Sequence, residues 1–169
     1  SRAQLEIVSD KLSVIRKKYS QMLTDKIIEG LKDLNFLDVQ FHIDFQRKKE
    51  YTDNGFDDIE YEISTNPGES VKPLGRIVSG GELSRIMLAI KAILADRDQI
   101  ETLIFDEIDT GISGRTAQKV SEKMAVIGKC HQVLCITHLP QIAAMADTHF
   151  DIEKHQQGTV TIKEIHRLD

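Results

Sequence analysis

Two short apolar runs constrain this chain more than any other feature. "TLIFDE" and "HQVLCITH" are continuous hydrophobic stretches, too short for helices, that end in acidic residues or a histidine. Runs of this kind mark parallel strands buried on both faces, and parallel strands need a crossover, usually a helix, between them. The intervening "SGRTAQKVSEKMAVIG" supplies a helix closed by Gly128 as its C-cap, and "LPQIAAMA" opens another with Pro140 in its first turn. In open sheets of this type the polar groups at strand carboxyl ends line the ligand crevice. Asp106, Glu107 and His138 are therefore the first candidate site residues.

The rest of the chain fits around that unit. Leu5, Val8, Leu12, Ile15, Tyr19 and Met22 repeat at alternating spacings of three and four, a heptad seam. The seam fails at Lys26 and an apolar face resumes out of phase at Ile27, Leu31 and Leu34, which predicts the last turns of a coiled-coil stalk docking on a globular head. "VQFHIDF" and "IEYEI" alternate strictly and predict half-buried antiparallel strands, with the polar "QRKKEYTDNGFDD" as the loop between them and Asn54-Gly55 as its turn signal. Arg47, Lys48 and Lys49 make the densest basic spot, read as a solvated tip rather than a phosphate contact. "NPGESVKPLG" reads as loop, and Leu83, Ile86, Met87, Ile90 and Leu94 set out a helix. A last hairpin, "THFDIEKH" with "TVTIKEIH", turns at Gly158. Helix, antiparallel pair, then alternating helix and parallel strand give an α/β class.

Composition sets limits on function. The 169 residues carry 22 Lys+Arg against 27 Asp+Glu, a net charge of -5, so the average surface does not recruit nucleic acid and any DNA contact must be local or lie elsewhere. An apolar content of 40% supports a sizeable core. Cys130 and Cys135 are not spaced for metal or redox work, and at least one is expected as a small buried hydrophobe. There is no signal-peptide pattern and no apolar run near the roughly 20 residues that cross a bilayer, so a soluble protein without a membrane partner is expected. The chain opens inside a helical pattern without an initiating Met, as a piece of a longer protein would.

The start of the helix after residue 78 poses the sharpest local question. In "RIVSGGELSRI", Ser79 and Glu82 satisfy a capping box, which explains a helix start but not Gly80 and Gly81. Each glycine in a helix costs up to about 1 kcal/mol relative to alanine. What it offers is backbone that another group can approach closely. Free N–H groups, the positive dipole end and a serine hydroxyl together suit a phosphate. Leu103, Ile104 and Phe105 then deliver Asp106 and Glu107 side by side, two carboxylates that repel unless a cation or proton offsets them. Asp106 would hold the hydration shell of Mg²⁺, and Glu107 would orient an attacking water and take its proton. Asp109 follows in a turn ended by Gly111, either as a turn residue or in catalysis. A metal-dependent nuclease built on Asp106, Glu107 and Asp109 with His138 nearby is the competing chemistry, and a non-catalytic scaffold a third reading.

In this order and at these intervals the set resembles the second half of an ABC-type ATPase head. "SGGE" is similar to the ABC signature, "TLIFDE" to the Walker B strand with its catalytic glutamate, "DTG" to the D-loop and "ITH" to the switch-histidine loop. More narrowly, "LGRIVSGGELSRIMLAIKAILA", "IFDEIDTGISGRTA" and "THLPQIAAMAD" resemble the RecN family of bacterial SMC-like ATPases of DNA double-strand-break repair and recombination, over about residues 74–147. The resemblance implies residues 1–36 as the end of a coiled-coil helix and 37–169 as the C-terminal lobe of the head. A phosphate-binding G-x-x-x-x-G-K-[ST] loop is absent, since Gly128-Lys129 is followed by Cys130 and lacks the upstream glycine. The partners implied are an N-terminal Walker A lobe of the same protein, a second head in an ATP-dependent homodimer, and DNA through the intact protein, in the bacterial cytoplasm at the nucleoid. Ser79, Gly80, Gly81 and Glu82 would then face the γ-phosphate of ATP bound to the other head. Asp106 would act through Mg²⁺, Glu107 and His138 would be catalytic, and Asp109 would link the two sites across the dimer.

Overall fold

The computed structural model describes residues 2–157 and 160–168. A long helix, α1 (Arg2–Asp33), leads into an antiparallel hairpin, β1 (Gln40–Thr52) and β2 (Gly55–Ser64), edged by the short β3 (Lys72–Pro73). A single 3₁₀ turn at Leu74–Arg76 precedes α2 (Gly80–Leu94). Then come β4 (Thr102–Phe105), α3 (Gly114–Ile127), β5 (Gln132–Cys135), the one-turn α4 (Pro140–Ala143), and a terminal pair, β6 (His149–Gln157) with β7 (Val160–Leu168). The β4 and β5 strands are parallel with Phe105 opposite Cys135, as the crossover argument requires. The predicted turn at Gly158 lies outside the described residues.

One core joins these pieces. Ile27 and Leu31 at the end of α1 and Leu34 and Phe36 beyond it pack with Phe41, Ile43 and Ile63 of the hairpin, Ile86, Leu88, Ala89 and Ile90 of α2, Phe105 of β4, and Val120 and Ile127 of α3. The out-of-phase resumption at Ile27 is the point where α1 stops facing outward and enters the head. Before that point the heptad residues Leu5, Val8, Ile15, Tyr19 and Met22 are exposed while Ser9 and Ser13 are buried. The apolar seam thus faces away from the domain, and a polar stripe holds the helix to the hairpin.

That polar stripe corrects the reading of "QRKKEYTDNGFDD" as loop. Most of it is the outer half of the two strands, and the reversal falls at Asp53-Asn54, with Thr52 opposite Gly55 and a register shift between Arg47 and Thr52. Gly55 opens β2 at φ +86°, a left-handed value that favours glycine, and a Cβ there would lie 3.5 Å from the Leu12 side chain of α1. The strands extend because α1 supplies polar partners. Ser13 Oγ donates to Asp57 at 2.7 Å, and Arg16 donates to the second Asp57 oxygen at 2.9 Å and to the Asn54 carbonyl at 2.8 Å. The Asp57 side chain is only 3% exposed. Burial pushes its carboxyl up, but the Arg16 and Ser13 hydrogen bonds outweigh that and hold it below the usual value. The basic spot is engaged within the chain: the Arg47 guanidinium lies 4.0 Å over the Phe56 ring and faces Glu6 and Asp10, and Lys48 faces Asp58.

Two smaller expectations are also corrected. The parallel strands are not buried on both faces. Leu103, Phe105, Val133 and Cys135 point to the core, but Leu134, Ile136 and Ile104, the last 67% exposed, form a bare apolar face because helices cover one side alone. Gly128 is the C-cap of α3 as expected, and it sits in the right-handed region at φ −59°, so the cap does not use a glycine's special freedom. "NPGESVKPLG" contains β3 and the 3₁₀ turn rather than loop throughout. Of the two free cysteines, Cys135 is half-buried, its thiol pushed up to about 11 by burial with Asp109 and Asp106 adding to it, and Cys130 is exposed. Among the described residues no helix is long and apolar enough to cross a membrane.

Candidate functional site: a helix start against an acidic strand end

The site is built on the chain that leaves β4. Asp106 and Glu107 are both exposed, and the Glu107 amide donates to Asp106 Oδ1 at 2.8 Å. Glu107 sits at φ +56°, a left-handed conformation that costs a non-glycine residue roughly 1–2 kcal/mol and is held by its surroundings. Those surroundings are the first turns of α2. Ser84 Oγ donates to the Asp106 carbonyl at 2.7 Å, and Arg85 Nη1 donates to the Thr110 carbonyl at 2.8 Å and the Ile108 carbonyl at 3.3 Å. Thr110 closes the turn by donating its amide to the Glu107 carbonyl at 3.0 Å.

The glycine pair now has a steric explanation. Ser79 caps α2 as expected, accepting from the Glu82 amide at 3.3 Å, and its hydroxyl hydrogen remains available as a donor. Gly80 and Gly81 have ordinary helical backbone, so no special φ demands glycine. A Cβ on Gly80 would fall on the Glu107 carboxylate. One on Gly81 would lie 2.8 Å from the Glu107 carbonyl oxygen and 3.0 Å from Thr110 Cβ. The close approach inferred from sequence is therefore present inside the chain, and the group that approaches is the strand end itself.

Asp109 and His138 also come together. Asp109 Oδ2 accepts from Thr137 Oγ1 at 2.6 Å and from the His138 amide at 2.8 Å, and lies 3.0 Å from His138 Nδ1. Its side chain is 4% exposed, whereas that of His138 is 75% exposed. Burial pushes the Asp109 carboxyl up, but the Thr137 and His138 hydrogen bonds and the His138 charge outweigh it and keep the group below its usual value. The carboxylate expected to reach a second head is thus turned into its own chain.

Sequence reasoning missed Ser84, Thr137 and above all Arg85. The Arg85 residue is 8% exposed, burial pushes its pKa down with Glu82 opposing, and its guanidinium lies 5.6 Å over the Phe36 ring. The signal was in the periodicity, because Arg85 falls between Gly81 and Ala89 on the buried stripe of α2. The nuclease constellation is not assembled: among the described residues no group of three or more His, Cys, Asp and Glu could hold a metal ion, and Asp109 is spent on residues 137 and 138. The donors that remain suit a hydrated Mg²⁺ ion shared with phosphate, which needs only one or two protein carboxylates. The exposed Asp106 carboxylate, beside the capped start of α2, fits that requirement.

Comparison with known proteins decides the family. The chain is 48% identical over 171 residues to the DNA repair protein RecN of Halalkalibacterium halodurans, covering 99% of the chain and 30% of that protein. It is 44% identical over 168 residues to RecN of Bacillus subtilis, covering 90% of the chain and 29% of that protein. The chain belongs to the RecN family. It spans about 30% of the length of these curated relatives. The fold agrees, since the Smc head domain of Pyrococcus yayanosii with a coiled coil and joint superposes at a TM-score of 0.61 and 21% identity, over 97% of this chain and 30% of that one. An SMC ATPase described for ATP-driven dimerization and DNA-stimulated activation superposes at 0.50 and 18% identity, over 94% of this chain and 89% of that one. The fold is that of the C-terminal lobe of an SMC-type ATPase head. No protein-family profile matches the chain.

Proposed function

We propose that this chain supplies the signature, Walker B and switch-histidine elements of an ATP-hydrolysing head in a RecN protein that acts in recombinational repair of DNA double-strand breaks. The observation that carries the reading is that all four motifs meet around residues 106–110. Gly80 and Gly81 lie against Glu107, Arg85 holds the carbonyls of Ile108 and Thr110, and Asp109 holds His138. A capping box alone gives no reason for that convergence.

In this reading Asp106 anchors Mg²⁺ through its water shell, and the ion neutralises phosphate charge when bound. Glu107 orients a water and accepts its proton as the bond to the γ-phosphate breaks. Ser79, Gly80, Gly81 and Glu82 at the start of α2 meet the γ-phosphate of ATP held by the opposite head, while His138, beside Asp106 and Glu107, meets the γ-phosphate of the ATP that those carboxylates serve. The ATP cradle itself comes from a Walker A lobe of the same protein. Residues 1–36 form the end of the coiled-coil helix and 37–169 the lobe; the outward seam of Leu5, Val8, Ile15, Tyr19 and Met22 pairs with another helix of the arm. DNA is engaged by the intact protein, within the cytoplasm at the nucleoid.

The two-head arrangement is tested by head association in the intact protein, followed by light scattering with and without ATP. The Glu107→Gln protein should dimerise on ATP addition, and adding Ser79→Arg, which places a bulky cation at the helix start, should prevent it. Dimerisation unaffected by Ser79→Arg would remove the signature role.

A further inference from the structure

Asp109 is the most heavily used acceptor in the site, yet the reading above gives it no work. Its Oδ2 atom gathers Thr137 Oγ1, the His138 amide and His138 Nδ1 within 2.6–3.0 Å, and Thr137 Oγ1 in turn accepts from the Leu139 amide at 3.0 Å. The turn from β5 into α4 therefore hangs on one buried oxygen. An ionised carboxylate only accepts, so the imidazole nitrogen facing it must be the one that carries hydrogen. Nε2 is then the nitrogen with the lone pair in the neutral ring, on a side chain that is 75% exposed.

We propose that Asp109 is a positioning residue that acts within its own chain, locking His138 in the Nδ1–H tautomer so that Nε2 is the nitrogen presented to the site. An anion arriving at Nε2 can be hydrogen-bonded only after that atom takes a proton from solvent, and the resulting imidazolium keeps its other N–H on Asp109. In either protonation state the ring keeps its Nδ1–H on Asp109, so Nε2 is the atom that faces an incoming group. The other ionisable groups around the pair are Asp106 and Glu107 after β4, Arg85 from α2, and Cys135 from β5, whose thiol stays protonated near neutral pH. The α4 turn, Pro140–Ala143, brings no ionisable side chain. The tautomer follows from geometry alone, whereas its use at a phosphate rests on the ATPase reading.

Two experiments separate those layers. Long-range ¹H–¹⁵N correlation spectra of this chain with the imidazole in its neutral form should show the proton on Nδ1, and Asp109→Asn should shift it toward Nε2. A wild-type neutral ring protonated on Nε2 overturns the proposal whatever the protein hydrolyses. In the intact protein, Asp109→Asn should lower kcat by about 10–100-fold, the usual loss when the outer partner of a working histidine is removed, with KM little changed. In a His138→Gln background it should cost almost nothing more. An equal loss in both backgrounds would make Asp109 merely structural and also overturn the proposal. Absence of any ATP turnover in the wild-type protein would instead count against the ATPase reading and leave the tautomer to the spectra.

Discussion

Replacing each signature glycine by alanine separates a steric reason for glycine from a conformational one. Both residues lie in the first turn of α2 with ordinary helical φ, so intrinsic propensity would reward either substitution by up to about 1 kcal/mol. Their surroundings differ. A methyl at position 80 meets only the end of the Glu107 side chain, which can swing aside at little cost. A methyl at position 81 meets the Glu107 carbonyl at 2.8 Å and Thr110 Cβ at 3.0 Å, and neither yields unless the turn held by the Thr110 amide moves. Overpacking of this kind typically costs about 1–3 kcal/mol. Because propensity cancels between the two variants, Gly81→Ala should be less stable than Gly80→Ala by about that amount. For a chain of this size that is a melting temperature lower by roughly 2–12 °C, at about 2–4 °C per kcal/mol. Thermal unfolding followed by circular dichroism reads the difference. Equal melting temperatures, or a more stable Gly81→Ala, would refute the packing of Glu107 on the glycine pair.

Other variants probe the remaining contacts. Arg85→Met should cost about 1–3 kcal/mol in denaturant unfolding, since it leaves the buried Ile108 carbonyl without its donor and removes the part-buried hydrogen bond to Thr110. Arg85→Lys should recover little of that loss, because an ammonium does not reproduce the guanidinium fork. Asp57 has its folded pKa below the unfolded value of about 3.9, so its contribution to stability is full above that pH and is lost as pH falls through the lower folded value. Asp57→Asn should therefore lower stability near neutrality and flatten its decline as pH falls below the ordinary carboxylate value, which a pH series of urea midpoints will show.

Much of this architecture was legible because it rests on local rules. The α2 cap, the parallel β4–β5 pair with its crossover helix and the change of phase at Ile27 all follow from spacing and turn chemistry. The hairpin's outer half was not legible. Its apolar alternation stops at Phe45, and the partners that extend it, Ser13 and Arg16 with Asp57, are about 40 residues apart in sequence. The bare face bearing Ile104, Leu134 and Ile136 escaped for the opposite reason, since an apolar run states what must be covered but not whether this chain covers it. At the site the residue types were readable and the pairings were not. Glycine at positions 80 and 81 announced a close approach, but only the fold shows Glu107 as the group that makes it. Asp109 looked like a turn residue or a link across a dimer, because its partners at 137 and 138 lie on the neighbouring strand's end. Arg85 was hidden by charge, since a guanidinium on a helix is ordinarily exposed unless a row of carbonyls waits for it.

The most direct test of the account is Mg²⁺-dependent ATP hydrolysis by the intact protein, comparing wild type with Glu107→Gln at saturating ATP. The account predicts turnover in the wild type and a loss of at least about 100-fold in the variant, the scale of a positioned general base, with nucleotide binding retained. Turnover indifferent to Glu107 would contradict it and would leave the glycine pair as packing alone.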